Sequence, residues 1–264
     1  METAPSFEST QVSVLRNPSE GKDPMDRLIV ALDFPSADAA MHLVDQLEGT
    51  CRWFKVGMEL YYAAGNLVID RLHECDFKVF LDLKLHDIPN TVAGAVRSVT
   101  SAGASLLTIH AGGGKRMMRA AAQAASGPDA PELLAVTVLT SMDAAELSAV
   151  GVADQAGLGD VVSSQVIRLA RLARTSGING LVCSAEEVAA VRQIMGPDAR
   201  LVVPGIRPAD TDSSRPSDDQ RRVATPAEAL SRGASMLVVG RPITLALNPA
   251  ESAAAILAEM RAAV

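Results

Sequence analysis

Eight short apolar runs recur along the chain, and between them lie longer stretches with helical periodicity. The runs are residues 27–33, 52–57, 77–84, 105–110, 133–139, 180–184, 200–205 and 235–240. Strands that alternate with helices in this way form βαβ units around a parallel sheet. Eight units within one domain of this length are typical of a closed barrel, so we predict an α/β fold, a single-domain (β/α)8 TIM barrel over residues 27–264. A doubly wound open sheet would produce the same alternation and is the alternative architecture.

The composition fits a globular protein. Of the 264 residues, 48% are hydrophobic and 21% are charged, which is enough apolar material for a full core. The formal net charge of -7 argues against a nucleic-acid-binding protein, because binding to phosphate backbones requires a basic face. No segment approaches the roughly 20 consecutive apolar residues of a membrane span. We therefore expect no nucleic-acid partner and no membrane association.

The cysteines indicate the compartment. Cys51, Cys75 and Cys183 are odd in number and lack the paired spacing of a disulfide framework or a zinc site. No pair of histidines has a recognisable metal spacing either. We therefore expect a protein of the reducing cytoplasm without a metal site.

Residues 1–26 precede the barrel pattern and mix Ser, Pro, Glu and Thr with scattered apolar residues. They lack the basic start and the apolar run of a secretory signal. We expect a flexible N-terminal extension there, with Met25 as an alternative start. Two connections, 140–160 and 208–223, are too long for plain turns and are typical of lids or binding loops, with a merely disordered excursion as the alternative.

Two of the helical stretches begin with a residue suited to an N-cap and end near a glycine. They are SADAAMHLVDQLEG (36–49) and SAEEVAAVRQIMG (184–196). We expect Ser36 and Ser184 to cap these helices.

Charged residues mark the carboxyl ends of the first three predicted strands. Asp82 and Lys84 project to one side of the third strand, because side chains two residues apart share a face. Asp33 ends the first run, Lys55 lies within the second, and Asp87 follows the third. Taken singly, Asp33 or Asp87 could cap the next helix, and Lys55 could form a structural pair with Asp82. Together they predict an active site, since barrels carry their chemistry at this rim and buried charges need a partner or a ligand.

Two Gly-Arg sequences follow the seventh and eighth runs, where barrels commonly build a phosphate site. They are Gly205-Ile206-Arg207 and Gly240-Arg241, with Gln220 on the long loop between them. Glycine lets backbone N–H groups approach an oxygen, and arginine supplies a planar fork of donors. We predict an anion site, with simple surface turns as the alternative. For the glycine run 112–114 we prefer a permissive turn to a ligand contact.

Several motifs resemble those of the bacterial orotidine 5'-phosphate decarboxylase family. They are IVALD (29–33), FKVG (54–57), DLKLHDIPNT (82–91), VTVLTS (136–141), VPGIRP (203–208), DDQRRV (218–223) and VVGRPI (238–243), in order from Arg27 to the C-terminus. The ten-residue DLKLHDIPNT block is highly specific. The resemblance implies a homodimeric barrel that converts orotidine monophosphate to uridine monophosphate without metal or organic cofactor.

The resemblance also implies the roles of individual residues. The implied catalytic residues are Lys84 as proton donor, Asp82, Lys55 and Asp87. The implied substrate-binding residues are Asp33, Lys55 and Asp82 near the ribose, Ile88 and Thr91 beside Asp87, Thr140, Ser141 and Pro204 at the pyrimidine side, and Arg207, Gln220, Gly240 and Arg241 at the phosphate. Asp87 and Thr91 would reach into the partner subunit's site, so that each active site is shared between two chains.

Three other functions fit parts of this pattern. Related phosphate-binding barrels use an Asp-x-Lys-x-x-Asp arrangement with a divalent metal on the acids, and His86 and His110 could add ligands. A class I aldolase would use Lys84 as a Schiff-base nucleophile, but its lysine needs a lowered pKa and neighbouring carboxylates act in the opposite direction. A non-catalytic nucleotide-binding barrel is the third alternative.

Overall fold

The computed structural model describes residues 23–152, 160–208 and 222–263. Its eight strands form one closed parallel barrel in chain order, and the first strand pairs with the eighth. The closure confirms the predicted (β/α)8 barrel and excludes the doubly wound open sheet. All eight predicted runs contain a strand, although several strands end earlier than the apolar runs do.

The strands are β1 Leu28–Leu32, β2 Trp53–Gly57, β3 Lys78–Leu85, β4 Leu106–His110, β5 Glu132–Val136, β6 Gly180–Val182, β7 Arg200–Val203 and β8 Met236–Val239. The α-helices of the described ranges are α1 Ala37–Gln46, α2 Met58–Ala64, α3 Leu67–Glu74, α4 Pro89–Ser101, α5 Gly114–Ala124, α6 Ala144–Ala149, α7 Val161–Thr175, α8 Val188–Met195, α9 Pro226–Ser231, α10 Arg241–Thr244 and α11 Pro249–Ala262. Two helices follow each of β2, β5 and β8, where the sequence pattern predicts one.

The core consists of two layers separated by the strands. A large cluster packs the outward strand faces against the helices. A smaller cluster is formed by alternate strand residues that share the inner face. Its members are Ile29, Ala31, Trp53, Phe80, Leu106, Leu134, Val202, Met236 and Val238. Continuing the same alternation by one step carries the chain from Ala31 to Asp33, from Trp53 to Lys55 and from Phe80 to Asp82, so these charges face the interior at the carboxyl ends of the strands.

The helix starts follow the expected capping in one case and depart from it in another. Ser36 caps α1, and its hydroxyl accepts a hydrogen bond from the N–H of Ala39 at 3.3 Å, so Asp33 is not the cap. The expectation for Ser184 is wrong, because α8 begins only at Val188. The Ser184 hydroxyl instead donates to the carboxylate of Glu187. The same hydroxyl accepts the N–H of Glu186 at 3.3 Å, so Ser184 holds the turn before α8 while it supplies a donor to the buried carboxylate.

The segment that leads into β1 is attached to the barrel where the structure describes it. Residues Pro24–Asp26 form a short 3-10 turn, and Arg52 pairs with both Asp23 and Asp26 at 3.0 Å. The rest of the expected extension, residues 1–22, lies outside the described residues, as do 153–159 and 209–221 of the two long connections. Within the described ranges, no helix is long and apolar enough to cross a membrane.

Candidate active site

Four charged residues from the first three strands line one cavity at the carboxyl end of the barrel. The cavity has a volume of about 260 Å³ and is lined by Asp33, Lys55, Asp82 and Lys84. Apolar side chains such as Phe80 and Val136 form part of the same wall. The four charged residues that the sequence pattern places at this rim therefore lie together in one cavity.

The four charges form a row of alternating sign. Lys55 Nζ lies 2.9 Å from Asp33 Oδ1 and 3.8 Å from Asp82 Oδ2. Lys84 Nζ lies 2.9 Å from both carboxylate oxygens of Asp82. Asp82 is therefore held between two ammonium groups, and Lys84 ends the row.

The electrostatics of Asp82 are set by competing effects. Its side chain is only 12% exposed, and burial alone would raise its pKa. The charges of Lys55 and Lys84, with hydrogen bonds from Lys84 and Thr108, outweigh burial, so the pKa of Asp82 lies below its usual value. Asp82 stays ionised and can hold an ammonium group at Lys84.

Thr108 is a site residue that the sequence analysis missed. It lies on β4, is fully buried, and its hydroxyl donates to Asp82 Oδ1 at 2.9 Å. The hydroxyl oxygen of Thr108 also accepts the backbone N–H of Lys84 at 2.8 Å. The signal available in the sequence was a single polar residue inside the apolar run SLLTIH.

The backbone of Lys84 is in an uncommon conformation. Its φ of 49° lies in the left-handed region, which among the described non-glycine residues only Asp76 shares. The strand pairing is irregular here, because β3 advances from Leu81 to Leu85 while β4 advances only from Leu107 to Ile109. This bulge aims the lysine back toward Asp82, as bulges near active sites commonly re-aim a side chain.

Gly57 gives the row of charges the space that it needs. A Cβ at this position would lie 2.9 Å from Lys55 Nζ and 3.0 Å from Asp33 Oδ1. Any larger residue would press on the contact between Lys55 and Asp33. The glycine of the FKVG motif is therefore part of the site.

The same cavity is also lined by predicted anion-binding residues. Arg207, Gly240 and Arg241 line it, with Thr140 and Pro204 nearby. The turn after β7 depends on a glycine, because Gly205 has a φ of 78°. Gln220 lies outside the described residues.

Four of the predicted site residues do not line the cavity of their own chain. Asp87, Ile88, Thr91 and Ser141 are exposed. Asp87 accepts a hydrogen bond from the neighbouring N–H of Ile88 at 2.6 Å and does not cap α4, which begins at Pro89. The described site residues at the ends of β1, β2, β3, β7 and β8 thus line the cavity, whereas those in the segment after β3 and Ser141 after β5 do not.

Two features bear on alternative chemistry. Burial, reinforced by Glu187, raises the pKa of the cavity-lining Cys183 to about 12, so its thiol is not a nucleophile at neutral pH. Burial, then the neighbouring His86 and Lys84, lowers the pKa of His110, and His110 Nδ1 already accepts the N–H of Gly112 at 3.1 Å. The described residues contain no group of three or more His, Cys, Asp or Glu side chains placed to hold a metal ion.

Fold and site together define an enzyme of the (β/α)8-barrel class, in which a lysine–carboxylate row and two arginines line one cavity. A family model described as the orotidine 5'-phosphate decarboxylase / HUMPS family matches residues 26–256. The chain belongs to this family.

Individual relatives are similar over nearly their whole length. A curated orotidine 5'-phosphate decarboxylase from Maridesulfovibrio salexigens is 48% identical over 240 residues, which cover 89% of this chain and 99% of that protein. One from Halorhodospira halophila is 49% identical over 238 residues, which cover 90% of this chain and 97% of that protein. The crystal structure of orotidine 5'-phosphate decarboxylase from Lactobacillus acidophilus has a TM-score of 0.75 and 38% identity, covering 89% of this chain and 99% of that chain.

Proposed function

We propose that this protein decarboxylates orotidine 5'-phosphate to uridine 5'-phosphate in pyrimidine biosynthesis. The observation that carries the proposal is the row Asp33, Lys55, Asp82 and Lys84 in the same cavity as Arg207 and Arg241. A nucleoside monophosphate has a reacting base at one end and a dianion at the other. The cavity offers the fixed cation Lys84 for the base and two arginines for the phosphate.

The chemistry assigns the central role to Lys84. Loss of carbon dioxide from C6 of the pyrimidine leaves an electron pair in the ring plane, where the ring π-system cannot delocalise it. A cation fixed beside this carbon stabilises the developing charge without reorganisation. Lys84, held by both oxygens of Asp82, supplies that cation and then gives its proton to C6.

The remaining residues hold the substrate. The carboxylate of Asp33 accepts hydrogen bonds from the ribose hydroxyls, and the ammonium group of Lys55 donates to them. The Asp33 side chain is 60% exposed and therefore accessible to the ribose. We assign Thr140 and Pro204, which line the cavity, to the pyrimidine side, together with Ser141, which is exposed next to Thr140. The phosphate is bound by Arg207, Gln220, Gly240 and Arg241. Binding energy at the phosphate is remote from C6 and assists the reaction by fixing the base beside Lys84.

A decarboxylation assay tests this proposal. We expect loss of orotidine 5'-phosphate, followed by ultraviolet absorbance, to proceed at the full rate in EDTA. The metal-dependent alternative requires inhibition, since in that case the acids would hold a metal, whereas here Asp82 is bound by Lys84 and lies near Lys55. We expect Lys84→Ala to keep its fold and lose turnover by many orders of magnitude. A folded Lys84→Ala variant that kept a tenth of the wild-type kcat would show that Lys84 is not the catalytic cation and proton donor.

We also propose a homodimer in which Asp87, Ile88 and Thr91 complete the partner's site. Supporting this, Ile88 is 68% exposed although it is apolar, and Met58 and Tyr62, which follow the neighbouring strand β2, are 45% and 79% exposed. All three residues follow the carboxyl ends of two neighbouring strands, β2 and β3, and exposed apolar residues of this kind are typical of an interface. A two-fold dimer would bury them and carry Asp87 to the neighbouring cavity.

Mixed dimers test the shared site. Lys84→Ala and Asp87→Ala homodimers should each be nearly inactive, whereas a mixed dimer has one doubly altered site and one intact site. Equal mixing gives about half mixed dimers with half of their sites intact, so roughly a quarter of wild-type activity should return. No recovery after verified subunit exchange would place Asp87 in the site of its own chain.

We further propose a cytoplasmic enzyme with a catalytic barrel over residues 27–264 and an extension over residues 1–26. The three cysteines are unpaired, which suits a reducing compartment. The family match begins at residue 26, so residues 1–25 of the extension are outside it. A fluorescent fusion of the full chain should distribute through the cytoplasm, and periplasmic or envelope signal would contradict the proposal.

A further inference from the structure

A buried ion pair lies behind the cavity wall. Glu187 immediately precedes α8 and is 4% exposed, and its carboxylate contacts the guanidinium of Arg222, whose side chain is 11% exposed. Neither residue is among the described residues that line the cavity. Burying two charges is costly and adds little net stability compared with apolar side chains of similar size. The pair therefore calls for a role other than stability.

Each member of the pair also contacts the end of a different strand. Arg222 Nη2 donates to the backbone carbonyl of Leu139 at 3.0 Å, and Leu139 lines the cavity beside Thr140. Glu187 Oε2 accepts the backbone N–H of Ser184 at 3.1 Å and also its hydroxyl. The pair thus joins the segment after β5 to the segment after β6.

The chain that carries Arg222 also fixes the segment after β7. Two residues beyond it, Ala224 donates its N–H to the carbonyl of Gly205 at 3.1 Å and accepts the N–H of Arg207 at 2.9 Å. Arg222 therefore lies between the pyrimidine-side segment at Leu139 and the phosphate-side segment at Arg207. No other described side chain is recorded with contacts to both the Glu187 carboxylate and the Leu139 carbonyl.

We propose that Arg222, oriented by Glu187, is a positioning residue that sets the spacing between the two ends of the substrate cavity. It acts through the Leu139 backbone on one side and through the Gly205–Arg207 segment on the other. This inference rests on the proposed function, because spacing matters only for a ligand that spans both ends, as a nucleoside monophosphate does. Small displacements of such a ligand relative to a fixed catalytic group are costly in rate.

Paired apolar replacement separates positioning from stability. Arg222→Met or Glu187→Leu alone leaves a buried charge without its partner, and Tm should fall by roughly 6–12 °C. The double variant removes both charges but still leaves the Ser184 N–H and the Leu139 carbonyl without these partners, so it should recover part of this Tm. If the pair positions the substrate, kcat/KM of the double variant stays roughly 10- to 100-fold below wild type.

A second ion pair provides the matched control. Arg200 Nε and Glu132 Oε2 lie 2.7 Å apart at the amino ends of β7 and β5, away from the cavity, and both side chains are 22% exposed. The double variant Arg200→Met with Glu132→Leu should change Tm about as much as the Arg222 and Glu187 double variant does. It should leave kcat/KM within about twofold of wild type, because the Arg200–Glu132 pair joins no segments that line the cavity.

The inhibition constants of two ligands distinguish positioning of the substrate from a general loss of stability. In the Arg222 and Glu187 double variant, the inhibition constant of uridine 5'-monophosphate should rise about tenfold, because this ligand spans both ends, while that of inorganic phosphate changes less than about twofold. Arg222→Lys keeps a charge beside Glu187 but replaces the fork by a single ammonium, so it should keep its Tm and still lose kcat/KM.

The outcomes are distinguishable. Absence of wild-type decarboxylation would overturn both the proposed function and this inference. With wild-type turnover present, a folded double variant or Arg222→Lys variant with wild-type kcat/KM would overturn the positioning role alone. An equal loss in the Arg200 and Glu132 control would do the same, because it would show that kcat/KM follows any lost ion pair.

Discussion

Replacing Thr108 by valine is the sharpest test of how the site is held together. The two side chains are nearly equal in volume, but valine lacks the hydroxyl that donates to Asp82 at 2.9 Å and accepts the Lys84 N–H at 2.8 Å. Thr108 is fully buried, so no water replaces the lost oxygen without rearrangement. The substitution removes the connection between β4 and the two central charges.

The magnitude follows from the two bonds. A hydrogen bond to an ionised group contributes about 1.5–3 kcal/mol, and a backbone N–H left without an acceptor costs about 1–3 kcal/mol. Because one oxygen makes both bonds, we expect the free energy of unfolding to fall by about 2–4 kcal/mol rather than by the sum. Release of the left-handed backbone at Lys84 should shift its ammonium group. A loss of about 2 kcal/mol in transition-state stabilisation would lower kcat roughly 30-fold.

Steady-state decarboxylation and denaturant unfolding measure the two effects separately. KM should change little, since the hydroxyl of Thr108 contacts Asp82 and Lys84, which we assign to the reacting base and not to the phosphate. Thr108→Ser is the control, because it keeps the hydroxyl and loses only a methyl group, so its kcat should remain within a few-fold of wild type. A Thr108→Val enzyme with unchanged kcat, or a serine variant as impaired as the valine variant, would refute this reasoning.

Three further predictions concern other parts of the site. Arg241→Ala should lower kcat/KM by about 3 kcal/mol, roughly 150-fold, in the decarboxylation assay, through loss of a charge-assisted contact to phosphate. Gly57→Ala should keep its melting temperature but lose about tenfold in kcat/KM, because its Cβ would lie 2.9 Å from Lys55 Nζ and displace that flexible ammonium from Asp33. The lowered pKa of Asp82 should stabilise the fold above the unfolded-state pKa of about 4 and lose this contribution as pH falls through the lower folded-state value. Urea unfolding from pH 7 to pH 3 should therefore show a wild-type advantage over Asp82→Asn that shrinks in acid, and a constant difference would contradict the assigned shift.

The barrel was predictable because its signal is local and repeated. Each strand is a short apolar run followed by a helical stretch, and β-strand alternation then places Asp33, Lys55, Asp82 and Lys84 on the inner face. The second helix after β2 was not predicted, because a break within a helical stretch has little effect on its periodicity, and α6 after β5 lies within the connection 140–160 that the sequence pattern indicates as a loop. Gly65, with a φ of 59°, marks one such break between α2 and α3.

The connections between charges and backbone were not predictable, because they join residues far apart in the chain. Thr108 is 26 residues from Asp82, and Arg222 is 83 residues from Leu139. Nothing in the local pattern of SAEEV distinguishes an N-cap serine from one that donates to a buried carboxylate. The left-handed backbone of Lys84 depends on pairing between β3 and β4, which the sequence of either strand alone does not contain.

The two ends of the barrel interior carry the same kinds of charge and differ in how those charges are arranged. At the amino ends of the strands, Arg200 and Glu132 form a pair between β7 and β5. At the carboxyl ends, four charges of alternating sign form one row that ends on Lys84, which is 29% exposed beside an Asp82 that is 12% exposed. The pair links two strands, whereas the row presents an ammonium group that is fixed from behind and open toward the cavity. For a reaction that develops negative charge on carbon, a cation held in advance removes the reorganisation that water would require. Within each group the acids and bases are equal in number, so the net charge is zero at both ends. The accessible ammonium group of Lys84, and not the number of charges, therefore makes the carboxyl end suited to catalysis.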